Sequence, residues 1–167
     1  WKQFAGVEIA LSIDDVGKRF EYQRHPATWD NVLKNIHKFF NCGLNNLSTQ
    51  ICTTINLFNI HYLDELAEQV YEWNPDFWHI NILHNPVEFD VQMLPIDLKL
   101  RIKDKLQRCK IYRKELQSAV NYMLHPPQRE LDNYKKILND KIKGIDAIRD
   151  ENFAEVFPTL NNFLGIY

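Results

Sequence analysis

Three stretches of this sequence alternate apolar and polar side chains with a period of two, and each time one of the two faces is polar instead of oily. In the first, Val7, Ile9, Leu11 and Ile13 alternate with Glu8, Ala10, Ser12 and Asp14. In the second, over 49–57, Ile51, Thr53, Ile55 and Leu57 alternate with Gln50, Cys52, Thr54 and Asn56. In the third, over 77–83, Trp78, Ile80 and Ile82 alternate with His79 and Asn81. Helical spacing fills the gaps. Pro26 and Thr28 open a helix with Trp29, Val32, Leu33, Ile36, Phe39 and Phe40 as its apolar stripe, ended by Gly43. A second helix over 61–73 carries Leu63, Leu66, Ala67 and Val70 and is closed by Asn74 and Pro75. Strand, helix, strand, helix, strand with short connections predicts a right-handed parallel βαβαβ sheet. A parallel sheet buried on both faces is rich in Val, Ile and Leu throughout. The polar second face here instead predicts a lumen that holds a polar ligand.

Downstream, Val87, Phe89, Val91 and Met93 alternate as one further short strand, and Pro95 and Asp97 open a helical region. There Ile102, Leu106 and Cys109 continue into Tyr112, Leu116, Ala119, Val120 and Met123, until His125, Pro126 and Pro127 break the run. A further helix carries Leu131, Tyr134, Leu138 and Lys141 on one stripe and stops at Gly144. The tail, with Ile145, Ile148, Phe153, Val156 and Phe157, is apolar enough to dock. This divides the chain into a sheet-bearing part, 1–94, and a helical extension, 95–167.

With 167 residues, 45% of them hydrophobic, the chain supports one ordinary core and not two full-sized ones. A net charge of −2 gives no general reason to expect nucleic acid or an anionic membrane. No apolar run approaches the ~18 residues of a membrane span. Eight basic residues against Asp104 alone occupy 99–114, but they interrupt an apolar stripe as a solvated helix face does. A grip on an acidic peptide or other anionic substrate is the alternative use of that run. Cys42, Cys52 and Cys109 match no zinc, haem or redox spacing and read as reduced thiols of a cytoplasmic protein. No histidine pair has the spacing of a metal site. Opening on Trp1 implies processing or an upstream continuation.

The chemistry concentrates at the end of the first strand, where α/β proteins bind ligands. Ser12 offers a hydroxyl and Asp14, on the same face, a carboxylate; twelve residues after Ser12, Arg24 offers a planar cation suited to a carboxylate or phosphate. Taken singly, Ser12 is a small residue at a strand end and Arg24 a surface partner for Glu21. Taken together, the run Ser12-Ile13-Asp14, the loop with Arg24 and the helix start at Trp29 resemble the fourth βα unit of a radical S-adenosylmethionine (radical SAM) enzyme of the SPASM/twitch branch. The tail resembles the C-terminal segment of phage and bacterial twitch-type radical enzymes. The family usually carries Ser-Ile-Asp-Gly here, whereas this chain has Asp15 next and Gly17 two places later, which implies a longer turn.

The resemblance implies an α/β fold: half of a radical SAM partial (β/α) barrel, of three parallel βα units, followed by a helical C-terminal extension. Ser12 and Arg24 would hold the methionyl end of the cofactor S-adenosylmethionine. Asp14 would be a catalytic group facing the substrate, with Asn56, His79 and Asn81 as further substrate-facing residues. The family's 4Fe-4S cluster is held by a CxxxCxxC triplet that follows the first barrel strand; this chain lacks it, so the implied partners are a cluster-bearing N-terminal half and an electron donor. The activity implied is reductive cleavage of S-adenosylmethionine to a 5′-deoxyadenosyl radical that abstracts a substrate hydrogen. The alternative from another class is a non-catalytic binding or adaptor half-barrel.

Overall fold

The computed structural model describes residues 1–111, 113–127 and 132–167, and for Arg113 the backbone alone. Three strands, β1 (Val7–Ser12), β2 (Leu47–Ile55) and β3 (Phe77–Ile82), form a parallel sheet in sequence order. The register pairs Ser12 with Cys52 and Cys52 with His79, and one row further Thr54 with Asn81. Because side chains alternate across a strand, Ile51 and Ile55 are buried under the helices, while Ser12, His79 and Asn81 share the opposite, open face. β1 hydrogen-bonds to β2 alone, so among the described residues its other edge is free.

Two helices cross between the strands as expected. α2 (Trp29–Phe40) follows Thr28, and α3 (Leu63–Trp73), entered through a 3-10 turn at Ile60–Tyr62, buries Leu63, Leu66, Ala67 and Val70. Asn74 ends α3 in the left-handed conformation, φ 51°, which lets its N–H return to the Val70 carbonyl. The segment expected to loop between Ser12 and Arg24 is instead a short helix, α1 (Gly17–Gln23). Gly17 supplies its entry at φ 58°, and an Arg19–Asp15 bond of 2.9 Å braces its first turn.

Several downstream expectations are corrected. The alternation over 87–93 is no strand: Val87–Phe89 and Val91–Met93 are two 3-10 turns. Asp90 causes the break by accepting the Gln92 N–H at 2.8 Å, and it buries Glu88 and Gln92 alongside Val91, against the period of a strand. The continuous helical run is two helices, α4 (Ile96–Leu106) and α5 (Arg113–Leu124), with Tyr112 between them outside the described residues. Leu131 also lies outside them. α6 (Tyr134–Arg149) passes through Gly144 and stops at Asp150, in the left-handed conformation at φ 54°. Gly144 has helical neighbours and open space around it, so nothing forces a stop there. Lys141 is exposed beside the buried Ile142, and Ile148 is 87% exposed, so the stripe turns one residue from the expected one.

The tail docks through α7 (Phe153–Val156) and α8 (Pro158–Leu164). Phe153 and Phe157 are fully buried, and Phe157 stands edge-on to Tyr22 of α1 with ring centroids 5.2 Å apart. Asp146 of α6 locks the arrangement by accepting from the Tyr22 hydroxyl, the Phe153 N–H and the Tyr167 hydroxyl, each at 2.8 Å. Sheet, crossing helices and extension thus share one hydrophobic core. No described helix is long and apolar enough to cross a membrane.

Candidate functional site

The carboxyl ends of the three strands bring the polar groups together. Past β1 the ladder continues for one residue, with the Ile13 N–H donating to the Cys52 carbonyl at 2.9 Å. Asp14 then turns its carboxylate across the sheet end. Its Oδ1 accepts the Thr54 N–H at 2.8 Å, and its Oδ2 accepts Arg24 Nε at 2.6 Å, a charge-assisted bond. Asn59, buried behind it, donates from Nδ2 to the Asp14 and Thr54 carbonyls, each at 2.9 Å, which fixes the end of β1 to the end of β2. Asn56 is held at the end of β2: its Oδ1 accepts the Phe58 N–H at 2.8 Å, and its Nδ2 donates to Gln23 Oε1 at 3.1 Å.

Asp14 and Asn56 line a cavity of about 210 Å³ at this end of the sheet, together with Gln23 of α1 and Arg149 of α6, against an apolar wall that includes Phe58 and Phe89. Arg149 enters from the helical extension and donates from Nη1 to the Tyr22 carbonyl at 2.8 Å. Burial, then the hydrogen bond to Asp146, holds the Tyr22 phenol well above its usual value, so it stays a neutral donor beside the cavity.

The other sequence-derived site residues are distributed differently. Arg24 is ion-paired with Asp14 and not with Glu21, which instead takes Lys18 at 2.8 Å and the Trp29 N–H at 2.9 Å. The Arg24 side chain is 36% exposed, and its two terminal nitrogens make no hydrogen bond among the described residues. Ser12 is exposed on the open face of the sheet. His79 and Asn81 share that face and bond to one another, His79 Nε2 to Asn81 Oδ1 at 3.1 Å, without lining the cavity. Two strand spacings put His79 about 10 Å from Ser12 along their row.

Three contributors carry little or no readable local signal. Arg149 and Gln23 reach the cavity through tertiary packing. Asp15 looks like a turn former but is fully buried, accepting Val16 N–H at 2.8 Å, Arg19 Nε at 2.9 Å and Gln23 Nε2 at 3.3 Å. Burial pushes its carboxyl up to about 7 against the pull of Arg19. Arg19 in turn donates to Glu65 at 2.6 Å and lies 4.1 Å over the Tyr62 ring. This network braces α1 against α3; the Asp15–Arg19 spacing of four residues was its one visible trace.

Cys42, after α2, Cys52, on β2, and Cys109, after α4, are free thiols, and no set of three metal-ligating side chains gathers among the described residues. Arg24 keeps two unengaged nitrogens while Asp14 anchors its Nε, an arrangement able to accept a carboxylate. Compared with known proteins, the chain matches no family model, no curated protein and no solved structure.

Proposed function

We propose that this chain is the carboxyl-terminal half of a radical S-adenosylmethionine enzyme, supplying the part of a (β/α) barrel that grips the methionyl end of the cofactor. The observation that carries the proposal is the Asp14–Arg24 pair at the carboxyl end of a parallel sheet with a polar open face. Asp14 is a positioning residue here: with both oxygens engaged, it aims the free edge of the Arg24 guanidinium outward. Arg24 binds the cofactor carboxylate through that edge, and Ser12 adds a hydroxyl from the open sheet face. Asn56 and Arg149 line the adjoining cavity, where they orient a substrate. His79 and Asn81 face the same open side and border the substrate further along β3.

When bound to its cluster, S-adenosylmethionine supplies the hydrogen-abstracting chemistry. The protein's contribution is orientation and the exclusion of water. The uncovered outer edge of β1 supports the reading, because such an edge invites pairing and a cluster-bearing partner half would complete the sheet there. The test is anaerobic reconstitution of this chain together with a cluster-bearing half, with reductant and S-adenosylmethionine. Formation of 5′-deoxyadenosine is expected, and its reduction at sub-saturating S-adenosylmethionine by Arg24→Ala. Cofactor binding without 5′-deoxyadenosine would favour a non-catalytic binding module.

A further inference from the structure

The side chains that line the cavity at the sheet end have spent their hydrogen-bond donors, with one exception. Asn56 gives both amide hydrogens away, to Gln23 Oε1 at 3.1 Å and to the Thr54 carbonyl at 3.3 Å. Gln23 does the same, to Asp15 Oδ2 at 3.3 Å and to the Arg19 carbonyl at 3.2 Å. The Tyr22 hydroxyl gives its single hydrogen to Asp146 at 2.8 Å. Arg149 is the exception: among the described residues its one hydrogen bond runs from Nη1 to the Tyr22 carbonyl at 2.8 Å, which leaves most of the guanidinium donors uncommitted. Glu151 stands 3.9 Å from that same nitrogen, too far to accept from it. Across the cavity, Leu83, Phe89 and Ile145 are only half-buried, so they present apolar surface that a ligand can cover.

We infer that this cavity binds a small carboxylic acid with an apolar body, its carboxylate on Arg149 and its body against Leu83, Phe89 and Ile145. Such an acid is then the substrate class of the enzyme, a step that rests on the function proposed above, whereas the binding itself does not. A planar guanidinium with free donors matches a carboxylate in shape and charge. An ammonium group would stand beside a like charge, and a doubly charged phosphate would bring its second charge toward the carboxylates of Asp14 and Glu151. At the ~0.75 packing density of protein interiors, a cavity of about 210 Å³ admits roughly ten non-hydrogen atoms, the size of a short arylalkanoic acid.

The test is titration of the full chain at pH 7 with three probes of one size: 3-phenylpropanoate, its neutral amide and 3-phenylpropylammonium. The acid is expected to bind about tenfold tighter than the amide, the scale of a charge-assisted over a neutral hydrogen bond, and the ammonium more weakly than either. Arg149→Gln is expected to bring the acid to the level of the amide, and Arg149→Lys to recover part of the difference. Lys34→Gln, which removes an exposed charge on α2, is expected to match the parent. Equal affinity for acid and amide in the parent overturns the inference, as does a preference for the acid that survives in Arg149→Gln. Because Arg149 also ties α6 to α1, a second measurement uses the parent alone. In methyl-labelled protein, nuclear Overhauser contacts are expected between the ring of the bound acid and the methyl groups of Leu83 and Ile145; contacts elsewhere in their place overturn the inference. Neither measurement involves S-adenosylmethionine. Acid binding here without 5′-deoxyadenosine from the assembled halves strikes the enzyme reading and leaves the binding site standing, whereas 5′-deoxyadenosine without acid selectivity strikes this inference alone.

Discussion

Asp14 turns toward the open end of the sheet, where its partner Arg24 keeps two nitrogens free; Asp15, one residue on, turns under the helices, where Val16, Arg19 and Gln23 surround it. The same side chain does two jobs because the chain, having left β1 at Ser12, turns between them toward α1. Alternation sends Asp14 to the polar face, and the entry of α1 sends Asp15 into the core. The same division runs through the molecule: one face of the sheet is packed by helices and aromatic rings, and the other presents Ser12, His79 and Asn81 to solvent. A packed side governed by burial and an open side facing solvent respond differently to substitution.

The largest effect is expected on the packed side. Phe153→Ala should cost about 4 kcal/mol of unfolding free energy in urea titration, because a fully buried ring between Tyr22 and Phe58 leaves a cavity the tail cannot close. A cost under about 1 kcal/mol would show that the tail is not part of the core. Asp15→Ala should follow at about 3 kcal/mol, since it strips Arg19 and Gln23 of a buried acceptor. Its pH signature is distinctive. The folded carboxyl titrates at about 7 and the unfolded one near 3.8, so between those values the folded state holds the extra proton. Stability contributed by this group is complete below about pH 4 and is lost as pH rises toward 7. Relative to Asp15→Asn, which cannot titrate, the parent should lose stability across that window; parallel pH curves would contradict the burial of Asp15.

Tyr22→Phe should cost about 1.5 kcal/mol, one hydrogen bond to a carboxylate that keeps two other donors. His79→Ala, on the open face, should change chemical stability by less than about 0.5 kcal/mol. A larger loss in the isolated chain would mean that this face is buried against another surface.

The strands, their two faces and the stripes of α2 and α3 were legible because two periods, 2.0 and 3.6, suffice to place them. Residues Ile51, Ile55, Leu63 and Val70 fall where those periods put them. The legibility fails where a single side chain decides the local path. Asp90 turns an alternating stretch into two 3-10 turns, and the Gly17 entry with the Asp15–Arg19 brace makes a helix of an apparent loop. Neither is a periodic signal. At the site, Asp14 and Asn56 were visible through their position after a strand and Arg24 through its charge and its spacing from Ser12, whereas Arg149 arrives from a helix 125 residues beyond Arg24 and leaves no local trace.

The claim that the open side is a cofactor grip is tested most directly by calorimetric titration of S-adenosylmethionine into this chain assembled with a cluster-bearing half. Arg24→Ala should weaken binding by about 1.5 to 3 kcal/mol, the range for a hydrogen bond to a charged group, and Arg24→Lys should restore part of that because a point charge lacks the second prong. Ser12→Ala should cost about 1 kcal/mol. Binding by Arg24→Ala at the strength of the parent would contradict the account and leave the Asp14–Arg24 pair as a structural tie.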